Sequence, residues 1–296
     1  MKLIKTLPGL LRVNSWVKNV LIIFPAFFGK KALTVNFSLT LVLSVVVFSL
    51  LCSGVYIIND VADVRSDRMH PVKKFRPIAA GKISVFNALA ICFLLFIISF
   101  SLAFKFLNTI AILLLLFYLV FNLLYTFYLK HLLIIEFYSI AVFFEIRLFY
   151  GGTVAGIPIS HWLALTVFFL ASLVALGKRR DDVLLQANTA QSIRTNTKYY
   201  NVMFFDTVIT IISSLLVFIY VIYSVSDWVI SNYSKNFYLT NIFVILGLSK
   251  YLHTIFVEKK SGDPVKLLYK DKFLLTCVLL WILLVFKFIY YGDAPL

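Results

Sequence analysis

The stretch NDVADVRSDRMHPVKKFRPIAAG, Asn59 to Gly81, concentrates Asp60, Asp63, Asp67, Arg65, Arg68, Lys73, Lys74 and Arg76 in a chain that is only 14% charged. Read as a helix, its acids stand at i, i+3 and i+7 and project from one face. Carboxylates so placed repel by a few tenths of a kcal/mol per pair in water, and by more where a membrane boundary thins the solvent. A divalent cation reverses the sign. Mg2+ needs only a few carboxylates and completes its shell with water and substrate phosphates. Asp60, Asp63 and Asp67 are therefore candidate metal ligands, able to hold a diphosphate and stabilise it as it leaves. The plainer reading is a solvated, charged loop that fixes membrane topology. It accounts for the lysines and arginines but not for three acids on one face, since acids contribute little to orientation.

The bases have their own logic. A metal screens a diphosphate, but a further phosphate on a substrate calls for Lys or Arg. Lys73 and Arg76 lie just beyond the acids, with Pro71 and Pro77 stiffening the loop. LGKRRDD (Leu176–Asp182) adds Lys178, Arg179 and Arg180, while Lys18 in WVKN and Lys130 in YLKH fall at further helix ends. Each of these alone is equally well explained as an anchor for topology. Their convergence on one acid cluster marks them as candidate phosphate-binding residues.

The elements that must position these residues follow from composition. The chain is 61% hydrophobic over 296 residues, with a mean hydropathy of +0.96. So few polar residues cannot build a water-soluble surface, so the chain is expected to be a polytopic membrane protein. About nine apolar spans are expected, at roughly 15–30, 37–60, 84–104, 106–128, 132–156, 160–177, 200–224, 238–257 and 273–291. The first is weak, because Lys18 and Asn19 sit inside its start. The runs are too long for barrel strands, so the spans are helices, an all-α bundle. With the N-terminus in the cytosol, the outside segments hold only Lys30, Lys31, Lys105 and Lys235, and most other Lys and Arg fall inside. That imbalance predicts N-in, C-out, with the long charged loops, and hence the chemistry, on the cytosolic face. It also accounts for the net charge of +15 without a nucleic-acid partner. No linker or repeat divides residues 1–296, so one domain is expected, and no cleavable signal peptide is evident.

Other residues say less. Cys52, Cys92 and Cys277 are scattered in apolar runs and read as small buried hydrophobes; His70, His131, His161 and His253 lack zinc spacing. Glu136, Glu145 and Arg147 fall within one span, where ionisable groups are costly and face the interior. Glu145 and Arg147 are two residues apart, so they point to different faces and do not simply pair. They read equally as a cavity wall or as tethers between helices, and Asp206 is similar. The 30 Phe and 16 Tyr are ordinary for lipid-facing and interfacial positions.

NDVADVRSD resembles the NDxxDxxxD motif of the UbiA superfamily of intramembrane prenyltransferases. The closer likeness is to its polyprenyl-phosphate phosphoribosyltransferase branch, through WVKN (Trp16–Asn19), the full stretch Asn59–Gly81, YLKH (Tyr128–His131), RLFYGGTVAGIPIS (Arg147–Ser160), LGKRR (Leu176–Arg180) and SGDPVKLLYKDK (Ser261–Lys272). These run in order along nearly the whole chain. One departure is informative. Typical members carry a second aspartate-rich motif after span six, whereas this chain reads KRRDD, with the bases leading. Asp181 and Asp182 either reach a second metal or pair with Arg179 and Arg180.

The resemblance implies a UbiA-like bundle in the plasma membrane with a cytosolic site. Asp60 and Asp63, with Asp67 and Asn59 close by, would hold Mg2+ on the diphosphate of phosphoribosyl pyrophosphate. A polyprenyl phosphate, its tail among the membrane lipids, would attack C1 of ribose. That nucleophile is already anionic at neutral pH, so no general base is required. Lys178, Arg179 and Arg180 would bind the 5-phosphate or the lipid phosphate, and Lys18, Lys73, Arg76 and Lys130 would share the rest. The product would be a lipid-linked phosphoribose for cell-envelope glycans. The nearest alternative is a UbiA-type prenyltransferase moving a prenyl group to an aromatic or other acceptor; the KRR cluster counts against it, since a prenyl diphosphate has no further phosphate to hold. A transporter or lipid-binding protein would have no need of three acids on one helix face.

Overall fold

An apolar run in lipid has no water to satisfy its amides and must bond them internally. Accordingly, every regular element among the described residues is helical. The computed structural model describes residues 2–30, 35–69, 72–189, 196, 199–258, 267 and 270–293. The sequence readings on Lys31, His70, Pro71 and most of SGDPVKLLYKDK lie outside the described residues. A helix α1 (Lys2–Leu10), a 3-10 stretch (Val13–Ile23) and α2 (Phe24–Phe28) lead to α3 (Val35–Ala62) and α4 (Val64–Met69). Then come α5 (Val85–Phe106), α6 (Thr109–Phe127), α7 (Ile135–Ala155), α8 (His161–Thr189), α9 (Val202–Ser224), α10 (Asp227–Asn232), α11 (Asn241–Phe256) and α12 (Lys272–Tyr291).

Seven helical segments among the described residues are long and apolar enough to cross a bilayer: Leu39–Ala62, Val85–Phe106, Thr109–Phe127, His161–Gln186, Val202–Ser224, Phe237–Phe256 and Lys272–Tyr291. The other two expected spans fall on the shorter apolar stretch Val13–Phe28 and on α7, whose 21 residues carry Glu136, Glu145 and Arg147. Large apolar side chains such as Phe93, Leu94, Phe117 and Phe218 are exposed along these helices, as a lipid solvent permits. Helix starts are capped where the sequence supplies the residue: Ser84, Asn108, Asn201 and Asp271 accept hydrogen bonds from the amides of Asn87, Ala111, Phe204 and Leu274.

The chain forms two compact units, and α7 contributes to both: Met1–Lys130 with Ile146–Ile159, and His131–Glu145 with Ser160–Leu296. In the first, α3 packs against α5, α6 and the 3-10 stretch. Gly54 permits the α5 contact, because the Phe96 ring lies where a Cβ would stand. Cys92 Sγ donates to the Gly54 carbonyl at 3.3 Å and Ser99 to that of Val47 at 2.9 Å. Leu10, Ile57, Ile78, Ile83, Ala88, Cys92 and Leu95 form a buried apolar cluster. Ile78 and Ile83 thereby pin the loop that carries Arg76. In the second unit, α8 packs on α9 and α11 on α9 and α12, around Phe137, Leu173, Leu176, Phe205, Ile209 and Ile255.

Candidate active site

The motif begins on α3, which ends at Ala62, and continues on α4. Helical bonding persists across the junction: Asp63 N–H donates to Asn59 O at 2.9 Å, and Asp67 N–H to Asp63 O at 2.8 Å. The i→i−4 register is thus kept, and Asp60 and Asp67, two turns apart, stay on one side. Both are 2% exposed, and a carboxylate so buried requires a counter-charge. Arg76 supplies it for both. Its Nη1 lies 3.1 Å from Asp60 Oδ1 and 2.6 Å from Asp67 Oδ2.

Arg12 donates through Nη2 to the same Asp60 oxygen. Its backbone is left-handed, φ 49° and ψ 47°, a conformation uncommon for a residue with a Cβ, and its guanidinium lies over the Tyr56 ring, 4.9 Å from the centroid. Asp63 is less enclosed, and Lys130 Nζ reaches its Oδ1 at 2.7 Å. The Asn59 side-chain oxygen accepts from the Thr126 hydroxyl. Lys18, in the 3-10 stretch, and Lys73, in the short turn Lys73–Phe75, are both half-buried.

Three acids are therefore met by three bases. Among the described residues no three of His, Cys, Asp and Glu close into a metal cage. The donor set nonetheless fits a hard cation. A single nitrogen touches both Asp60 and Asp67, so one small positive centre can reach both, and Mg2+ asks for only one or two carboxylates beside substrate oxygens. Arg12 is the residue that sequence reasoning missed. It counts in the sequence only as one more basic residue, four before Trp16, and its contact to Asp60 spans 48 positions.

The WVKN segment is fixed from below by Arg147 on α7, itself 3% exposed. Arg147 Nε donates to Asn19 Oδ1 and Nη2 to the Tyr118 hydroxyl, both at 2.9 Å. Its guanidinium lies over the Phe48 and Tyr118 rings at 5.2 and 5.0 Å, where a cation is attracted to the π face. Asn19 donates onward to Ser49 at 2.8 Å, and Trp16 Nε1 to Ser53 at 3.0 Å. Of the two sequence alternatives, Arg147 takes the tether.

In the second unit, α8 runs unbroken through LGKRRDD to Thr189, so these residues lie on a helix. Arg179 Nε is 3.2 Å from Glu136 Oε2, both side chains buried, and its Nη1 is 3.2 Å from Asp182 Oδ2. Arg180 Nε is 2.5 Å from Asp206 Oδ1, and its Nη1 donates to the Ile255 carbonyl at 2.9 Å. Two of the three predicted bases thus meet carboxylates from α7, α8 and α9. Lys178 is half-buried.

Comparisons with known proteins agree with this architecture. The chain is 29% identical over 287 residues to the decaprenyl-phosphate phosphoribosyltransferase of Corynebacterium glutamicum, covering 95% of this chain and 85% of that protein. It is 30% identical over 278 residues to the enzyme of the same name from Mycobacterium tuberculosis, covering 92% and 90%. Among solved structures, a UbiA homolog from Archaeoglobus fulgidus bound to DMAPP and Mg2+ shares the fold. The TM-score is 0.69 at 18% identity, over 96% of this chain and 99% of that one. The profile of the UbiA prenyltransferase family matches residues 20–276, which takes in the motif, Arg147 and the α8 cluster: the chain belongs to the UbiA prenyltransferase family.

Proposed function

We propose that this protein transfers 5-phosphoribose from phosphoribosyl pyrophosphate to a polyprenyl phosphate at the cytosolic face of the plasma membrane. The observation that carries the reading is likeness, over nine-tenths or more of the chain, to two decaprenyl-phosphate phosphoribosyltransferases. The residues support it. Asp60, Asp63 and Asp67, with Asn59 beside them, would hold Mg2+, which supplies charge to the diphosphate oxygens. Arg76 and Lys130 sit on those same acids and meet the diphosphate arriving there; Lys18 and Lys73 bind further phosphate oxygens. Lys178, Arg179 and Arg180 are phosphate-binding residues of the second unit, Arg179 by exchanging the partly exposed Asp182 and Arg180 by exchanging Asp206 for phosphate.

The bond from ribose C1 to the diphosphate breaks, and the electron pair leaves with diphosphate. A phosphate oxygen of the lipid then closes the new bond to C1. Charge developing on the leaving group is met by fixed cations in a poorly hydrated site, where they count for more than in water. The lipid phosphate needs no proton removed. The product is a lipid-linked phosphoribose, a precursor for cell-envelope glycans.

A second reading draws on the likeness to a homolog solved with DMAPP: prenyl transfer from a prenyl diphosphate. A transfer assay with purified protein in detergent separates the two. Labelled phosphoribosyl pyrophosphate, polyprenyl phosphate and Mg2+ should carry label into the lipid phase, and Asp60→Asn or EDTA should abolish it. No lipid label, with consumption of a prenyl diphosphate and an aromatic acceptor, overturns the phosphoribosyl reading.

A further inference from the structure

Resting on the metal-and-diphosphate reading of the acid cluster, we propose that Arg12 is a mobile counter-ion that exchanges Asp60 for the donor's diphosphate when a divalent cation binds. Asp60 Oδ1 carries two guanidinium groups, those of Arg12 and Arg76. A cation that ligates Asp60 through this doubly used oxygen displaces one of the two groups from it. Arg76 has a second anchor, Asp67 at 2.6 Å, shorter than its 3.1 Å contact to Asp60, and stays where it is. Arg12 meets no second carboxylate among the described residues, so it is the group displaced.

Charge says where Arg12 goes. Asp60, Asp63 and Asp67 are balanced by Arg12, Arg76 and Lys130. A divalent cation added to this cluster leaves an excess of positive charge around buried oxygens, and a diphosphate delivered with the cation restores the balance. A guanidinium offers the planar fork that phosphate oxygens accept in pairs. Arg12 is also built to swing. Its side chain is 24% exposed, it stands in the turn between α1 and the 3-10 stretch, and the Tyr56 ring gives its planar head a surface to slide over.

The test uses the full-length wild-type protein in detergent and reads covalent labelling of individual arginines by phenylglyoxal through peptide mass spectrometry. Labelling of Arg12 should rise severalfold on adding Mg2+ alone and fall again when inorganic pyrophosphate follows with Mg2+ in excess; Arg76 should change much less. Arg12 labelling indifferent to Mg2+, or raised by Mg2+ and not lowered by pyrophosphate, overturns the proposal. Pyrophosphate contains neither ribose nor prenyl group, so the result stands whichever diphosphate proves to be the donor. In kinetics, Arg12→Lys keeps the charge and loses the fork. It should raise KM for the diphosphate donor about tenfold or more, the loss of one charge-assisted contact, while leaving melting unchanged. An unchanged KM also overturns it.

Discussion

Replacing Arg179 with Met tests whether the α7–α8 ion pair is a buried necessity of the second unit. Arg179 and Glu136 are 5% and 2% exposed and 3.2 Å apart. Removing the arginine alone leaves a carboxylate charge without its counter-ion in an apolar surround, at a cost of about 3–5 kcal/mol. Asp182 also loses a partner but is 22% exposed, and solvent screening holds that part below about 1 kcal/mol. Glu136 therefore decides the size. For a chain of this length the loss corresponds to a fall in Tm of roughly 6–10 °C, at about 2 °C per kcal/mol. In the double variant Glu136→Gln, Arg179→Met neither charge remains, and most of the loss should be recovered, since a buried pair replaced as a whole is often neutral. Thermal melting of wild type, both single variants and the double variant in one detergent measures the coupling. Losses that simply add in the double variant refute the reasoning, because Glu136 and Arg179 would then stabilise the unit independently of each other.

Three further outcomes are expected. Gly151→Ala should destabilise by about 1–3 kcal/mol or more, because the added Cβ meets the backbone carbonyl of Ile22, which cannot rotate away as a side chain can; a Tm within error of wild type counts against that contact. Lys130→Ala should cost less than about 1 kcal/mol, its pair with Asp63 being partly exposed, yet raise KM for the diphosphate donor; a steady-state titration with unchanged KM removes Lys130 from the site. Asp271 caps α12, and hydrogen bonding, first from the Leu274 amide and then from Lys250, holds its carboxyl below the usual range. Its contribution is therefore present above the unfolded value of about 3.9 and lost as pH falls through the lower folded value. Asp271→Ala should cost about 1 kcal/mol at neutral pH, and melting curves of variant and wild type should draw together as pH falls from about 3.9 through that folded value; a gap that does not narrow over this acid range excludes the carboxylate as its source.

The placement of Asp60 and Asp67 on one side was legible because helical period sets it and the chain keeps that period through a change of helix, while Asp63 pairs apart from them with Lys130. Apolar runs likewise disclosed the membrane helices, since lipid leaves the backbone no other solution. The partners were not legible. Arg12 reaches Asp60 through a left-handed turn 48 residues away, and no local pattern encodes that contact. Glu136 looked like one more costly acid in a span; its meaning depends on Arg179, which α8 supplies. Arg147 turns to Asn19 and Tyr118, contacts that its place in the span does not disclose.

The junction between α3 and α4 has a consequence for chain length. Because Asp63 and Asp67 still bond four residues back, the segment from Asn59 to Asp67 is a ruler with single-residue graduations. Inserting or deleting one residue near Ala62 would turn Asp67 by about 100° and shift it by about 1.5 Å along the axis, away from the one nitrogen of Arg76 that it shares with Asp60. Side chains in this segment can be exchanged one at a time, each with its own cost. The number of residues cannot.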